Sequence, residues 1–368
     1  MRDLHTAYSL TPELRRLLDA WDAGVANEAP LSRHRWADIA LWPAARSATV
    51  AASTAIEGNP LTFEEVDAAL AGLPVNAPRD AVREVVNYNL ALDLANRAAL
   101  REDFAWSTEL LRRLNGQVMQ GLEDDESGEY RTQPVVVGGV YHPPEAAHLP
   151  GLTGELVEWI QTDARALHPL LRAALVHVNV VSIHPWLNGN GRTARVAGSL
   201  SLMRDKIAAP ELVNVESWLR AHPDDYVDAL QASHGHTYDP GRHSATPWLE
   251  LFARISVSRL DARERLFAAI PNDIGLLTMA LVADGLPADA APILLAVRLG
   301  VLRTSRLAAG LRLSPSRVRA VLGGLVRAGW LEAVGERRGR AYRPSTRLMA
   351  IDLRVPAIFD LIRAGDET

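Results

Sequence analysis

His184-Pro185-Trp186-Leu187-Asn188-Gly189-Asn190-Gly191-Arg192-Thr193-Ala194-Arg195 holds the densest chemistry in the chain. A histidine closes one helical run, and a Gly-Asn-Gly turn follows whose backbone can approach an anion closely. A second helix then opens with Arg192 and Arg195 on one face, three residues apart. The pattern is a phosphate cradle beside a potential base. Immediately upstream, Leu170 to Ser182 is nearly apolar all round (Ala173, Ala174, Leu175, Val176, Val178, Val180, Val181), as a buried central helix would be, and it runs straight into His184.

Outward from this turn the chain reads as mostly helical. From Thr11 to about Arg101, Ala- and Leu-rich periodic stretches are punctuated by Gly58-Asn59-Pro60, Gly72-Leu73-Pro74 and Ala77-Pro78-Arg79-Asp80, which predicts an N-terminal helical layer. The helical pattern resumes from Ser107 to about Leu122. Gly128-Glu129-Tyr130-Arg131-Thr132-Gln133-Pro134 then leads into Val135-Val136-Val137, Gly138-Gly139 and Val140-Tyr141-His142-Pro143-Pro144. A β-branched triplet, a Gly-Gly turn and a closing Pro-Pro predict a short hairpin. Helices follow over 154–166 and 170–182. In the last third, Thr304 to Leu311, a turn, and Val318 to Ala328 predict a helix-turn-helix, with Ser314 as N-cap, Pro315 at the first helical position and Gly329 closing the second helix. Trp330 to Val334 and Arg340 to Arg343 flank Gly335-Glu336-Arg337-Arg338-Gly339 as strand, basic turn and return strand, which completes a winged helix.

At 368 residues, with 48% hydrophobic and 23% charged residues, the chain has room for more than one domain. No apolar run reaches the roughly 18 residues of a membrane span, so no membrane association is expected. The N-terminus is polar and passes into Leu10-Thr11-Pro12-Glu13, a helix start, without a secretory h-region. Zero cysteines exclude disulfides, thiolate zinc sites and a cysteine nucleophile, and suit a cytoplasmic location. The net charge of −5 hides an asymmetry: Val301 to Arg347 holds eleven Arg against two Glu, so the remainder carries −14. One end is built to meet polyanions.

The His184–Arg195 stretch resembles the signature of the Fic family, His-Pro-Phe-x-Asp/Glu-Gly-Asn-Gly-Arg-x-x-Arg, and matches seven of its fixed positions. Trp186 stands where the family has Phe, and Asn188 replaces the acidic residue that holds Mg²⁺ at the phosphates; an amide oxygen brings no charge. Upstream, Ser53-Thr54-Ala55-Ile56-Glu57-Gly58 resembles the inhibitory helix of those Fic proteins that carry it before the core, with Ser53, Glu57 and Gly58 as its marks and Glu57 directed at Arg195. The segment from Gly128 to Pro144 resembles the family's flap, which holds a target segment by strand addition, and His222 to Leu230 resembles the helix that closes the nucleobase pocket, with Tyr226 on it. The resemblance covers about residues 45 to 235.

The fold so implied is mostly α: a Fic helical core with a small β-hairpin flap, an N-terminal helical segment and a C-terminal winged helix-turn-helix, divided as 1–105, 106–265 and 266–368. The resemblance implies a protein adenylyltransferase moving AMP from ATP, with Mg²⁺, to a hydroxyl of a target protein bound along the flap. His184 is then the general base, a role that a pKa near neutrality suits. Gly189, Asn190, Gly191, Arg192, Arg195 and Tyr226 bind the nucleotide, and Asn188 is the metal position. The same site could run in reverse and remove AMP, or the core could be a weak or silent sensor in a DNA-binding regulator. Phosphotransfer of the Doc type is disfavoured, since those proteins have lysine where this chain has Gly191. Arg317, Arg319, Arg337, Arg338 and Arg340 are the candidate contacts to duplex DNA. A homodimer is a further possible assembly.

Overall fold

The computed structural model describes residues 3–26, 37–122, 128–205, 207, 213–304, 307–308, 314–335 and 340–365. Helices dominate. α1 (Pro12–Ala26), α2 (Ala37–Ile56), α3 (Phe63–Leu70) and α4 (Arg79–Ala99) form the N-terminal layer. α5 (Thr108–Met119), α6 (Leu149–Gln161), α7 (Pro169–Ile183), α8 (Asn190–Arg204), α9 (Val215–Ala221) and α10 (Pro223–His234) form the centre. The 38-residue α11 (Thr246–Ala283) leads to α12 (Ala291–Leu299), β1 (Leu302–Arg303), α13 (Pro315–Arg327), β2 (Leu331–Val334), β3 (Ala341–Pro344), α14 (Thr346–Met349) and α15 (Arg354–Ala364).

α7 is the central post. Ala173, Ala174, Leu175, Val176, Val178 and Val180 are all buried, so the apolar run read from sequence is covered on every side, and α8 packs antiparallel along it behind the 184–189 turn. α4 and α5 close over α8 on one side, while α2 carries the N-terminal layer against α4, α8 and α9. These helices share one apolar core with α1, α6, α10 and the first half of α11.

A second core gathers Leu41, Ala44, Ala45 and Ala48 of α2, the second half of α11, and α12 through α15. α2 and α11 serve both cores, the residues of α11 passing from the first to the second between Leu260 and Ala262. On length and composition α11 could cross a bilayer: an 18-residue window has a mean hydropathy of 1.7 and is one-third buried. Its Asp273, however, is buried and accepts from the amides of Arg354 (3.1 Å) and Val355 (2.7 Å), which fixes the start of α15 as a core contact. The buried Asp67 ties α3 to α2 and to the residue before β1, accepting from Ser47 Oγ (2.8 Å) and from the amide of Val301 (2.5 Å).

The sheet lies at the C-terminal end, ordered β1-β3-β2 and antiparallel, with Tyr342 opposite both Leu302 and Ala333. β1 has no counterpart in the sequence reading. Ser314 caps α13 through the amide of Arg317 (3.3 Å), as its spacing before Pro315 predicted. The expected helix over 304–311 lies partly outside the described residues.

The expected hairpin of residues 128–144 is much reduced. Among the described residues it is one antiparallel bridge, Val137 to Tyr141, closed by Gly138 and Gly139 at φ 56° and 75°. Three residues separate the bridged pair, and outward from it Pro143 and Pro144 have no amide N–H to extend a ladder. The chain then turns away, and the amide of His142 donates to the carbonyl of His236 (2.8 Å) instead.

Candidate active site

α7 ends because His184 leaves the helical region, at φ 49° and ψ 59°, and Pro185 follows. A left-handed conformation costs a non-glycine residue about 1–2 kcal/mol, so something must hold it. The amide of His184 donates to Val180 O (3.1 Å), and its carbonyl accepts from Arg131 Nε (2.9 Å). His184 Nδ1 lies 3.2 Å from the carbonyl of Val181, which can only accept. The proton therefore sits on Nδ1, and Nε2 carries the free lone pair. Burial pushes the imidazole pKa down to about 4, the carbonyl of Val181 and Glu57 pull it up, and Arg131 lowers it further. A ring that close-packed elements withdraw from water loses the solvation its charged form needs.

The turn is braced from inside. Gly189 adopts φ 77° and caps α8; a β-carbon there would meet Met119 Sδ at 2.9 Å and Asn115 Nδ2 at 3.0 Å. Asn190 Nδ2 donates to the carbonyl of Trp186 (2.8 Å) and its Oδ1 accepts from the amide of Trp186 (3.1 Å), so this side chain staples the turn. Trp186 is buried and its indole N–H donates to Gly128 O (3.3 Å), which answers the polar demand of the Phe-to-Trp change. Asn115 on α5 donates to the carbonyl of Asn188 (3.0 Å) and accepts from the amide of Gly128 (3.2 Å). The first amides of α8 point out of the helix end, where a helix favours an anion.

Glu57 occupies that end. It lies one residue beyond α2, where Gly58 at φ 91° closes the helix, and its Oε1 accepts from Arg195 Nη2 (2.7 Å). The same guanidinium donates through Nε to Ser53 Oγ (2.7 Å) and through Nη2 to Ser53 O (3.0 Å). A β-carbon on Gly191 would sit 2.7 Å from Glu57 Oε1, so the carboxylate lies directly over the first turn of α8. Burial pushes the Glu57 carboxyl up, yet Arg195 and Arg192 outweigh it and hold the group below the usual carboxylate range.

Arg192 is paired too, with a residue that sequence reading did not single out. Its Nη1 meets Glu84 of α4, whose other oxygen accepts from Asn59 Nδ2 (2.7 Å) in the turn after Glu57. Burial raises the Glu84 carboxyl, with Arg192 opposing. Nothing in the local sequence of α4 separates Glu84 from any other helical carboxylate.

The Fic/DOC family profile matches residues 105–202, which contain α5, α6, α7, the His184 turn and most of α8. The protein adenylyltransferases Fic of Drosophila mojavensis and Drosophila erecta are 32% and 33% identical to this chain over 155 residues, 41% of the chain. The chain spans only about a third of their length, 30% and 31%. A Fic family protein from Desulfovibrio desulfuricans G20 shares the fold over 92% of this chain and 98% of its own, with a TM-score of 0.63 at 23% identity. Fic-1 (residues 134–508) from C. elegans does so over 70% of this chain and 72% of its own, with a TM-score of 0.54 at 22% identity.

The remaining candidates lie around the matched region. Tyr226 of α10, read as nucleotide-binding on the helix that closes the nucleobase pocket, is buried beside Arg195, with its hydroxyl 3.1 Å from His177 Nε2 and its ring tilted against Trp248. Three aromatic rings turned inward gain more from mutual burial than from facing solvent. Asn188 stands half-buried in the turn, and no group of three His, Asp or Glu side chains able to hold a metal occurs among the described residues. A single neutral amide oxygen is a poor donor set for Mg²⁺.

The flap lies next to the base. One guanidinium, Arg131, reaches both the His184 carbonyl and the carbonyl of Pro144 at the flap's end (2.5 Å), while Val136 and Val140 are exposed on it. At the far end of the molecule Arg317, Arg319 and Arg340 are exposed, Arg317 with Asp289 at 4.0 Å as its ion-pair neighbour. Arg337 and Arg338 lie outside the described residues.

Proposed function

We propose that this chain is a protein adenylyltransferase of the Fic type, moving AMP from ATP to a hydroxyl side chain of a target protein. The observation that carries the reading is the pairing of a tautomerically fixed His184, Nε2 free, with an α8 N-terminus whose two arginines are held over it. The target hydroxyl gives its proton to Nε2 as its oxygen bonds to the α-phosphorus; the bond from that phosphorus to the bridging oxygen breaks, and pyrophosphate leaves. Arg192, Arg195 and the amides of the α8 end offset the charge that accumulates on the leaving group. A depressed pKa keeps the base neutral at physiological pH at the expense of driving force for proton transfer.

Glu57 restrains this chemistry by occupying Arg195 and the space over Gly191, so the resting state is self-inhibited. The experiment is transfer from ATP labelled at the α-phosphate, by the intact chain, Glu57→Gly, and Glu57→Gly/His184→Ala. Label should rise in the first variant and vanish in the second; label retained without His184 removes it as the base.

A second activity is supported by the exposed arginines of the C-terminal unit, whose α13 and strands suit a winged helix. Duplex DNA would bind there, losing about 0.9 log units of affinity per log unit of salt for each phosphate contact. Replacing Arg317, Arg319 and Arg340 by Ala should flatten that slope and leave AMP transfer intact. Binding indifferent to salt and to these changes leaves the unit a structural one.

A further inference from the structure

Arg131 sits between the base and the flap and is almost completely buried, at 2% exposure. Its guanidinium donates to three main-chain carbonyls: Nε to His184 (2.9 Å), Nη1 to Gln133 (3.0 Å) and Nη2 to Pro144 (2.5 Å). Its own amide donates to Pro185 O (3.0 Å). No carboxylate pairs with it among the described residues, and burial lowers its pKa. Burying a cation on neutral acceptors alone is expensive. A methionine would fill the same space without that cost, so packing does not account for an arginine here.

The three carbonyls belong to three different parts. Gln133 is the entry to the flap, Pro144 is its exit, and His184 is the base. Between entry and exit the flap holds itself by the single Val137–Tyr141 bridge. The distance between the base and a target segment lying on the flap is therefore set by this guanidinium, together with the Arg131 amide on Pro185 O (3.0 Å) and the Tyr141 hydroxyl on Ser182 O (2.7 Å). The same group holds His184 in its left-handed conformation, which points Nε2 out while Nδ1 stays on Val181 O.

We propose that Arg131 is a positioning residue for AMP transfer, a rigid fork that locks the catalytic histidine and fixes both ends of the target-binding flap relative to it. The proposal rests on the reading of His184 as the base. Its charge gives it a second effect. Two charged groups bear on the His184 ring, Glu57 from the end of α2 favouring the protonated form and Arg131 from the flap entry favouring the neutral one, and the carbonyl of Val181 in α7 also favours protonation.

The test uses the full chain carrying Glu57→Gly, with Arg131→Met and Arg131→Lys added separately. Arg131→Met should lower kcat about 100-fold, the scale of a misplacement of about 1 Å, while the Kd for ATP changes less than about threefold. The titration of His184, followed by NMR of its ring carbon and assigned with His184→Ala, should move upward. Arg131→Lys keeps the charge but cannot span three carbonyls, so the titration should stay near its parent while kcat remains low. Parental kcat in Arg131→Lys overturns the proposal, as does an unmoved titration in Arg131→Met. Should Arg131→Met fail to fold, Arg131→Lys decides on kcat. A parent that transfers no label refutes the adenylyltransferase reading instead, and the titration still reports on Arg131.

Discussion

Replacing Glu57 by Gly should tighten ATP binding, and the size of the effect follows from the geometry. The carboxylate and the Arg195 guanidinium are in contact at 2.7 Å, with side-chain exposures of 27% and 2%. Two unit charges about 4 Å apart interact by about 4 kcal/mol at an effective dielectric of about 20. Glu57 reaches water on one side and pays desolvation to enter the pair, so the net hold is nearer about 1.5–3 kcal/mol, the range for a charge-assisted hydrogen bond. ATP must displace it, and its apparent affinity is reduced by the fraction of molecules in which Arg195 is free. At about 1.4 kcal/mol per tenfold, release should strengthen binding about ten- to a hundredfold. The substitution is clean in the backbone, because Glu57 lies past the last helical residue, Ile56. Isothermal calorimetry of ATP into His184→Ala and His184→Ala/Glu57→Gly measures the difference without turnover. Glu57→Gln, which keeps the shape and loses the charge, should fall between them. Equal Kd values within twofold in all three would refute the argument. Arg195 meanwhile keeps Ser53 and the hydroxyls of Tyr88 and Tyr226 beside it, and the loss of a partly buried partner should cost about 3 kcal/mol of stability in the absence of nucleotide.

Acid should unfold this protein by way of its buried histidines. His5 and His177 are held to about 3 and His184 to about 4, in each case mainly by burial, against 6.5 in the unfolded chain. The unfolded state binds more protons below pH 6.5, so the stability is full above that value and is lost as pH falls from 6.5 through 4; with three groups the slope approaches about 4 kcal/mol per pH unit, and urea melts that stay flat over this range would sink the idea. Asn115→Ala removes the donor to Asn188 O and the acceptor for Gly128 N, and should destabilise the fold by about 1–3 kcal/mol and slow transfer in the Glu57→Gly background; an unchanged melting curve means the turn stands without it. Glu84→Gln should soften the hold on Arg192 and on Asn59 together, so it should weaken nucleotide protection against thermal unfolding; protection equal to the parent would show Glu84 to be incidental.

What could be read without coordinates is what a short stretch of chain decides for itself. The His184 turn, the all-round apolar α7, the Ser314 cap before Pro315 and the Gly58 stop after Glu57 each depend on neighbours within about four residues, and each is where the residue pattern put it. Even Glu57 and Arg195, 138 positions apart, were paired through two recognisable motifs. The flap shows where such reading ends: its β-branched residues announce strands, but a strand needs a partner, and only the bridge at Val137 and the contact of His142 with the 236–238 segment found one. The contacts of Tyr226 with His177 and Trp248 have no mark in the residues beside it. The pairing of Arg192 with Glu84 across 108 residues, the fork of Arg131 across the flap and the pKa of His184 were likewise decided by tertiary structure. Burial and the convergence of distant helices set the free energy of a charge, and neither is a property of the residues beside it in the chain.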